Sequence, residues 1–375
     1  MLRRISCILC AALLMLSMTG CFFLRPRRTA KTSYDYEELR KTVTDDLTNE
    51  ISITDWSGDV PEGMEVKYVV VKEVFGNDRS RDTKLYDYDK AGRVTYHKSD
   101  SNAYTDEWKI VYNDDGTIAR RERRSLKALG SAPPGPDYTA EYEYNDKKQL
   151  VSFSYTSEGH FTYRFEYENG HLVHTDLYGG KDYTYSTESE YFDYCVVVSD
   201  NITTSNEQDD VRICKRTYAD DTFEKVLTEQ YEYDERVTQF EYNGSELTGS
   251  YYIDQWGRTH KFDANGNLSA ELDKDGSVLE KWEYNENGDR VLYERYDNGV
   301  LVDKTTTSVS YDGAGNKQTE TSDFWYVMDG EEKTFTAKTT YSYRNGLLVS
   351  ELDEIDGDFS SLKVYAYKAI LVPKE

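Results

Sequence analysis

One phrase, repeated along the chain, most constrains what it can fold into. An aromatic residue is followed by Asp or Asn, two variable residues, a Gly, and an apolar residue soon after. Tyr88-Asp89-Lys90-Ala91-Gly92-Arg93-Val94 is the clearest copy. Asp at the first turn position and Gly at the fourth are the preferences of a type I turn closed by a left-handed residue. Such a turn predicts a three-residue hairpin loop with a bulge at Gly92. In that register Tyr88 faces Val94 and Tyr86 faces Tyr96. All four side chains then share one face, because strand residues two apart point the same way.

The phrase returns with Gly116, Gly266 and Gly276, where Tyr112 should face Ile118, Phe262 Leu268, and Leu272 Val278. A shorter Asn-Gly form, a strong hairpin signal, carries Gly170, Gly299 and Gly346. It pairs Tyr167 with Leu172, Tyr296 with Leu301, and Tyr343 with Leu348. Reading Asn287-Gly288 the same way pairs Tyr284 with Val291 and Trp282 with Tyr293. Each cross-strand pair contributes about 0.2–1 kcal/mol, too little for isolated hairpins to hold. The hairpins must therefore stack edge to edge. The predicted fold class is mainly β: an antiparallel meander of Tyr-rich β-hairpin repeats, extended or curled, with one short N-terminal helix. Composition agrees, since hydrophobic residues are only 38% of the chain but Tyr alone numbers 34. Tyr favours strands and buries a ring while keeping its hydroxyl wet.

Four segments are expected. Residues 1–20 read as a signal peptide, with Arg3 and Arg4 before an apolar run from Ile5 to Met18. That run is short of the roughly 20 residues a membrane-spanning helix takes. Residues 21–32 read as a tether. Residues 33–50 read as a helix with Tyr36, Leu39, Val43 and Leu47 on one stripe, capped by Ser33 or Asp35. Residues 51–375 form the β-repeat domain. Within it, Ala119 to Asp137 breaks the composition, with a cluster of arginines followed by a Pro/Gly loop.

Two resemblances attach to these residues. Met18-Thr19-Gly20-Cys21 resembles the lipobox of bacterial lipoproteins, which implies cleavage after Gly20 and a diacylated Cys21. YDYDKAGRVT, Tyr86 to Thr95, is similar to the YD repeat of bacterial Rhs-type surface proteins, and weaker copies cover most of Tyr68 to Leu352. That family implies β-hairpins wound into a sheet spiral on an exported protein. Its large members enclose a toxin and carry an Asp-Pro self-cleavage motif. This chain holds no Asp-Pro, so the enclosing role is not carried over. Tyr251 to Thr259 also looks like the hairpin repeats of clostridial and choline-binding wall-attachment modules.

The net charge of −25 disfavours nucleic acid, whose phosphates need a basic footprint. Arg25, Arg27 and Arg28, beside the lipid site, are suited to membrane head groups. Cys195 and Cys214 flank a polar loop and fall opposite each other if it folds as a hairpin, with Val196 facing Ile213 and Val198 facing Val211. They form either a cross-strand disulfide or two packed thiols. His171 and His174 stand at an odd offset in one predicted strand, hence on opposite faces. Asp273/Asp275 and Asn113/Asp115 resemble fragments of calcium loops but lack the remaining ligands. No catalytic, cofactor or metal residue is singled out. The functional expectation is a lipid-anchored extracytoplasmic module that binds or scaffolds, with Trp256, Trp282 and Trp325 available to a surface glycan or envelope protein. The alternative is an envelope glycan hydrolase using a carboxylate pair with one raised pKa.

Overall fold

The computed structural model describes residues 36–374, apart from 78–79, 102–103, 128–135, 157–158, 178–180, 185–191, 199–210, 220–223 and 232–235. The signal segment, Cys21 and the tether therefore lie outside the described residues. No described helix is long and apolar enough to cross a membrane.

The described residues form a mainly β fold, one 25-stranded sheet with a single short helix. Helix α1 spans Tyr36–Thr48, ending two residues before the expected Glu50. There the chain tightens, as the Glu50 amide bonds the Leu47 carbonyl three residues back. Strands β1 (Ser52–Thr54), β2 (Met64–Gly76), β3 (Arg81–Tyr88), β4 (Val94–Asp100) and β5 (Tyr104–Tyr112) open the sheet. β6 (Ile118–Lys127), β7 (Tyr138–Tyr144), β8 (Leu150–Thr156), β9 (His160–Glu168), β10 (His171–Leu177) and β11 (Lys181–Thr184) extend it. β12 (Phe192–Val198), β13 (Val211–Tyr218), β14 (Val226–Tyr231), β15 (Thr238–Asn243), β16 (Glu246–Ile253), β17 (Thr259–Asp263) and β18 (Leu268–Leu272) follow. β19 (Val278–Tyr284), β20 (Arg290–Asp297), β21 (Val300–Tyr311), β22 (Lys317–Met328), β23 (Glu331–Arg344), β24 (Leu347–Ile355) and β25 (Asp358–Pro373) complete it.

From β2 to β11, and again from β12 to β25, each strand pairs antiparallel with the next; β25 then pairs antiparallel with β2, uniting the two ends of the repeat region. β1 adds a short parallel pairing to β25. Among the described residues no ladder joins β11 to β12. Helix α1 seats Leu47 over the β2–β25 junction, against Val74, Leu362 and Val364. Lys72 Nζ meets Glu50 at 2.6 Å and Arg81 meets Asp46 at 2.8 Å, fixing the helix end to β2 and β3. A second core fills around β5–β10 with Trp108, Tyr142, Leu150, Phe153, Phe165 and Leu172.

A meander reverses at each turn, so alternate turns lie at the same end of the sheet. This sorts the turns into two kinds. At one end each hairpin turn follows an aromatic residue: Tyr88, Tyr112, Tyr144, Tyr167, Tyr218, Tyr242, Phe262, Tyr284, Tyr311 and Tyr343. In five of these ten turns, at Asp89, Asn145, Asp263, Asn285 and Asp312, the side-chain oxygen accepts from the amides two and four residues on. Asp89 Oδ1 accepts from Ala91 and Arg93 at 2.9 and 3.0 Å, and Asp312 Oδ1 from Ala314 and Asn316 at 2.8 and 2.9 Å. At the other end the turns of the C-terminal half follow Ile253, Leu272, Tyr296, Val327 and Glu354, counted in the same way, so a tyrosine precedes one of these five.

Where the ladder between two hairpins stops at the aromatic end, a tyrosine hydroxyl continues it. Pairing of β4 with β5 ends at Tyr96–Lys109, and Tyr112 then donates to the Val94 carbonyl at 3.0 Å. The same offset recurs from Tyr88 to Val70 (2.7 Å), Tyr167 to Leu150 (2.9 Å), Tyr242 to Val226 (2.9 Å), Tyr284 to Leu268 (3.0 Å) and Tyr367 to Leu348 (2.7 Å). A carbonyl left unpaired and shielded from water is costly. The phenol satisfies it and joins one hairpin to the next.

Three expected contacts are corrected, all by β-bulges. Tyr88 faces Val94, but the register then shifts, so Tyr86 faces His97 rather than Tyr96. Tyr284 faces Arg290 rather than Val291, although Trp282 does face Tyr293. Gly288 closes a three-residue loop begun by Asn285, not a two-residue one, since its amide bonds the Asn285 carbonyl at 3.0 Å. In β10 a register shift between Leu172 and His174 places His171 opposite Glu168 and His174 opposite Glu166, so the two histidines share a face. An extra residue in one strand inverts the in/out parity beyond it.

Candidate functional site

The turn glycines sit where backbone geometry requires them. Gly92, Gly116, Gly170, Gly266, Gly276, Gly288, Gly299 and Gly346 all have φ between 76° and 97°. They are distributed along both ends of the sheet and build the frame, not one site. Cys195 and Cys214 are direct partners in the β12–β13 ladder, with Val196 opposite Ile213 and Val198 opposite Val211; Cys214 is fully buried.

The three tryptophans do not form one platform. Trp256 stands at a hairpin tip, 66% exposed, with the Arg258 guanidinium 5.1 Å from its ring centre. Trp282 packs its ring 5.7 Å from that of Tyr293. Its cross-strand row continues through Tyr293 and Thr305 to Phe324. Trp325 adjoins Phe324 in β22 and so points from the opposite face.

Trp325 lines a groove of about 280 Å³ on β21–β23 and the β24–β25 turn. The register assembles it in two rows. Lys304, Trp325 and Thr334 lie directly across from one another, and beside them lie Thr306, Asp323 and Thr336. Asp356, in the β24–β25 turn, closes the end. Its Oδ1 accepts the Thr336 amide at 2.9 Å and its own amide donates to the Thr336 carbonyl at 2.8 Å. Thr336 Oγ1 donates to Asp323 Oδ1 at 2.8 Å. The Trp325 indole N–H donates to Glu332 at 3.3 Å, and Lys304 reaches Glu294 at 3.1 Å. The groove is thus an aromatic plate rimmed by oriented carboxylate and hydroxyl oxygens. Its volume suits one sugar ring or one or two side chains, at the small end of ligand sites. Reasoning from the sequence singled out Trp325 but missed Lys304, Thr334, Thr336 and Asp356. The Asp329-Gly330 and Asp356-Gly357 dipeptides, both of which adopt φ near +50° to +84°, carried the signal. They set the register that brings those residues together.

The opposite face holds the carboxyls that burial disturbs. Glu271, Glu280, Arg295 and Asp303 are successive cross-strand partners. Burial, reinforced by the facing Glu271, raises the Glu280 carboxyl against the pull of Arg295. Burial likewise raises Asp303, with Arg295 3.6 Å away opposing it. Next along the row, His260 Nε2 lies 3.3 Å from Asp254 and its ring stacks on Tyr252 at 4.6 Å. Among the described residues no group of His, Cys, Asp or Glu side chains is arranged to hold a metal ion.

No family model matches the chain, and no curated protein matches it. Among solved structures it is similar to a Tc holotoxin pore of Photorhabdus luminescens, at 11% identity and a TM-score of 0.26, over 78% of this chain and 18% of that one. It is also similar to a porin-like protein from Bacteroides uniformis, at 13% identity and a TM-score of 0.24, over 73% of this chain and 96% of that one. The chain spans under a fifth of the length of the first of these.

Proposed function

We propose that this chain is a non-catalytic extracytoplasmic module, lipid-anchored at Cys21 and built from YD-like repeats, that binds a neutral glycan in the Trp325 groove. The observation that carries the reading is the indole of Trp325 beside Asp323, Thr336 and Asp356. Aromatic faces stack on the C–H faces of sugars, while carboxylates and hydroxyls accept and donate to ring hydroxyls. The surrounding acids, Asp323, Glu332 and Asp356, disfavour anionic polymers. The lipobox-like Met18-Thr19-Gly20-Cys21 supports the anchor and the compartment.

The test is a glycan array followed by calorimetry on the hits. Binding should fall sharply in Trp325→Ala and survive in Trp256→Ala. An array with no signal, or hits indifferent to Trp325→Ala, would remove the proposal. Metabolic labelling with a clickable fatty acid, lost in Cys21→Ser, tests the anchor.

A hydrolase remains the second reading, favoured by the raised carboxyls of Glu280 and Asp303. Their rows lie two strand spacings apart, about 9.5 Å, near the upper limit for an inverting pair. Arg295 stands between them. Release of reducing sugar from a bound glycan, abolished by Glu280→Gln, would establish this reading.

A further inference from the structure

The end of the sheet opposite most of the tyrosine-bearing turns carries a second surface, which meets the Trp325 groove at Asp356. From β16 to β25, the large apolar side chains exposed by more than a third are Ile253, Trp256, Val278, Val300, Val327 and Met328. All six lie in or directly beside turns at that one end. At the tyrosine end, the matching residues Phe262, Leu268, Tyr284, Tyr311 and Leu347 are all partly covered. Neighbouring turns of the same end are two strands apart, about 9.5 Å. The apolar knobs therefore form a row roughly 29 Å long from the β16–β17 turn to the β22–β23 turn. Exposed acids border the row: Asp275, Asp297, Asp329, Glu331, Asp356 and Asp358. The cations among them are few, and Lys333 is held by Glu331 at 2.6 Å.

We propose that this rim docks a cationic amphipathic helix of a partner protein. Row length and charge both select that occupant. A helix of about 20 residues spans the row, and residues seven apart on one face lie about 10.5 Å apart, close to the turn spacing. Its basic flanks would meet the bordering carboxylates, and its apolar stripe the exposed Val, Ile, Met and Trp side chains. The same acids repel an anionic bilayer, which a membrane-seating surface would not do. Arg258 stacked on Trp256 already shows a cation seated on one of the knobs.

The test uses the full chain and a fluorescent Leu/Lys amphipathic helical peptide of about 20 residues. Anisotropy should report binding that weakens with added salt. It should also weaken by about tenfold or more in Val300→Asp/Met328→Asp, whose exposed positions leave the melting curve unchanged. A Leu/Glu peptide of the same pattern should not bind. Absence of Leu/Lys peptide binding, or equal binding by the double variant, overturns the proposal. So does co-sedimentation with phosphatidylglycerol vesicles that the double variant loses, which would assign the rim to lipid. Self-association that Val300→Asp abolishes would overturn it too, assigning the rim to a second copy of this chain. The glycan array reports on the Trp325 groove separately, so either proposal can fail alone.

Discussion

The Tyr112 hydroxyl donates to the Val94 carbonyl at 3.0 Å, two residues beyond the last pairing of their strands. The bond explains why the repeat writes Tyr where Phe would pack equally well. A ring alone would cover the neighbouring hairpin but leave its carbonyl unsatisfied. Tyr112→Phe should lower unfolding stability by about 0.5–1.5 kcal/mol. Chemical denaturation with an unchanged slope would measure it. Phe262 precedes its turn as Tyr112 does but pairs with Ser250 inside the β16–β17 ladder, where no carbonyl is left open, so Phe262→Tyr should gain no such bond. No loss in Tyr112→Phe would reduce the phenol to a packing role.

Gly92 has φ near +77°, and an added Cβ would meet Val372 Cγ1 at 3.2 Å. Gly266 shares the conformation, with φ +82°, but has nothing within 4 Å of that position. Ala at either site should cost about 1–2 kcal/mol from the left-handed backbone alone. Gly92→Ala should cost more, because the Val372 side chain must also give way by a few tenths of an ångström. Equal midpoints for the two variants would contradict that contact.

Burial pushes the phenols of Tyr88, Tyr144 and Tyr231 up to about 12, with Glu73 adding to the effect at Tyr88 and Glu229 at Tyr231. In the unfolded chain a phenol titrates near 10. The folded state therefore keeps protons that the unfolded state loses. Stability from these groups is whole below about pH 10 and lost as pH rises toward 12. Denaturation midpoints taken from pH 8 upward should hold and then fall in that window. Phenolate absorbance should rise late and together with unfolding. Full ionisation near pH 10 with the fold intact would contradict the burial.

Cys195 and Cys214 face each other in the β12–β13 ladder. Opposed antiparallel residues have Cα atoms about 4.5–5.5 Å apart, within the range a disulfide spans. Protein exported to an oxidising compartment should gain two hydrogens in intact mass on reduction, and Cys214→Ser should remove that gain. Two thiols alkylated without reductant would show the pair reduced.

The sequence by itself determined the strands, the turns and many of the pairs across them. An Asx side chain binding its own loop, and a glycine at positive φ, are local devices that act within a few residues. Tyr112 opposite Ile118, Phe262 opposite Leu268, and Tyr343 opposite Leu348 follow from them directly. What the turns did not reveal is parity beyond a bulge, and so Tyr86 meets His97, and His171 shares a face with His174. Only the tertiary structure decided that most tyrosine turns gather at one end and the exposed apolar turns at the other, where the Tyr296 turn joins them. It alone joined β2 to β25, and brought Thr336 and Asp356 beside Trp325. These are relations between strands far apart in the chain, set by hydrogen-bond register summed over many hairpins, and a single residue's shift in any one would have changed them.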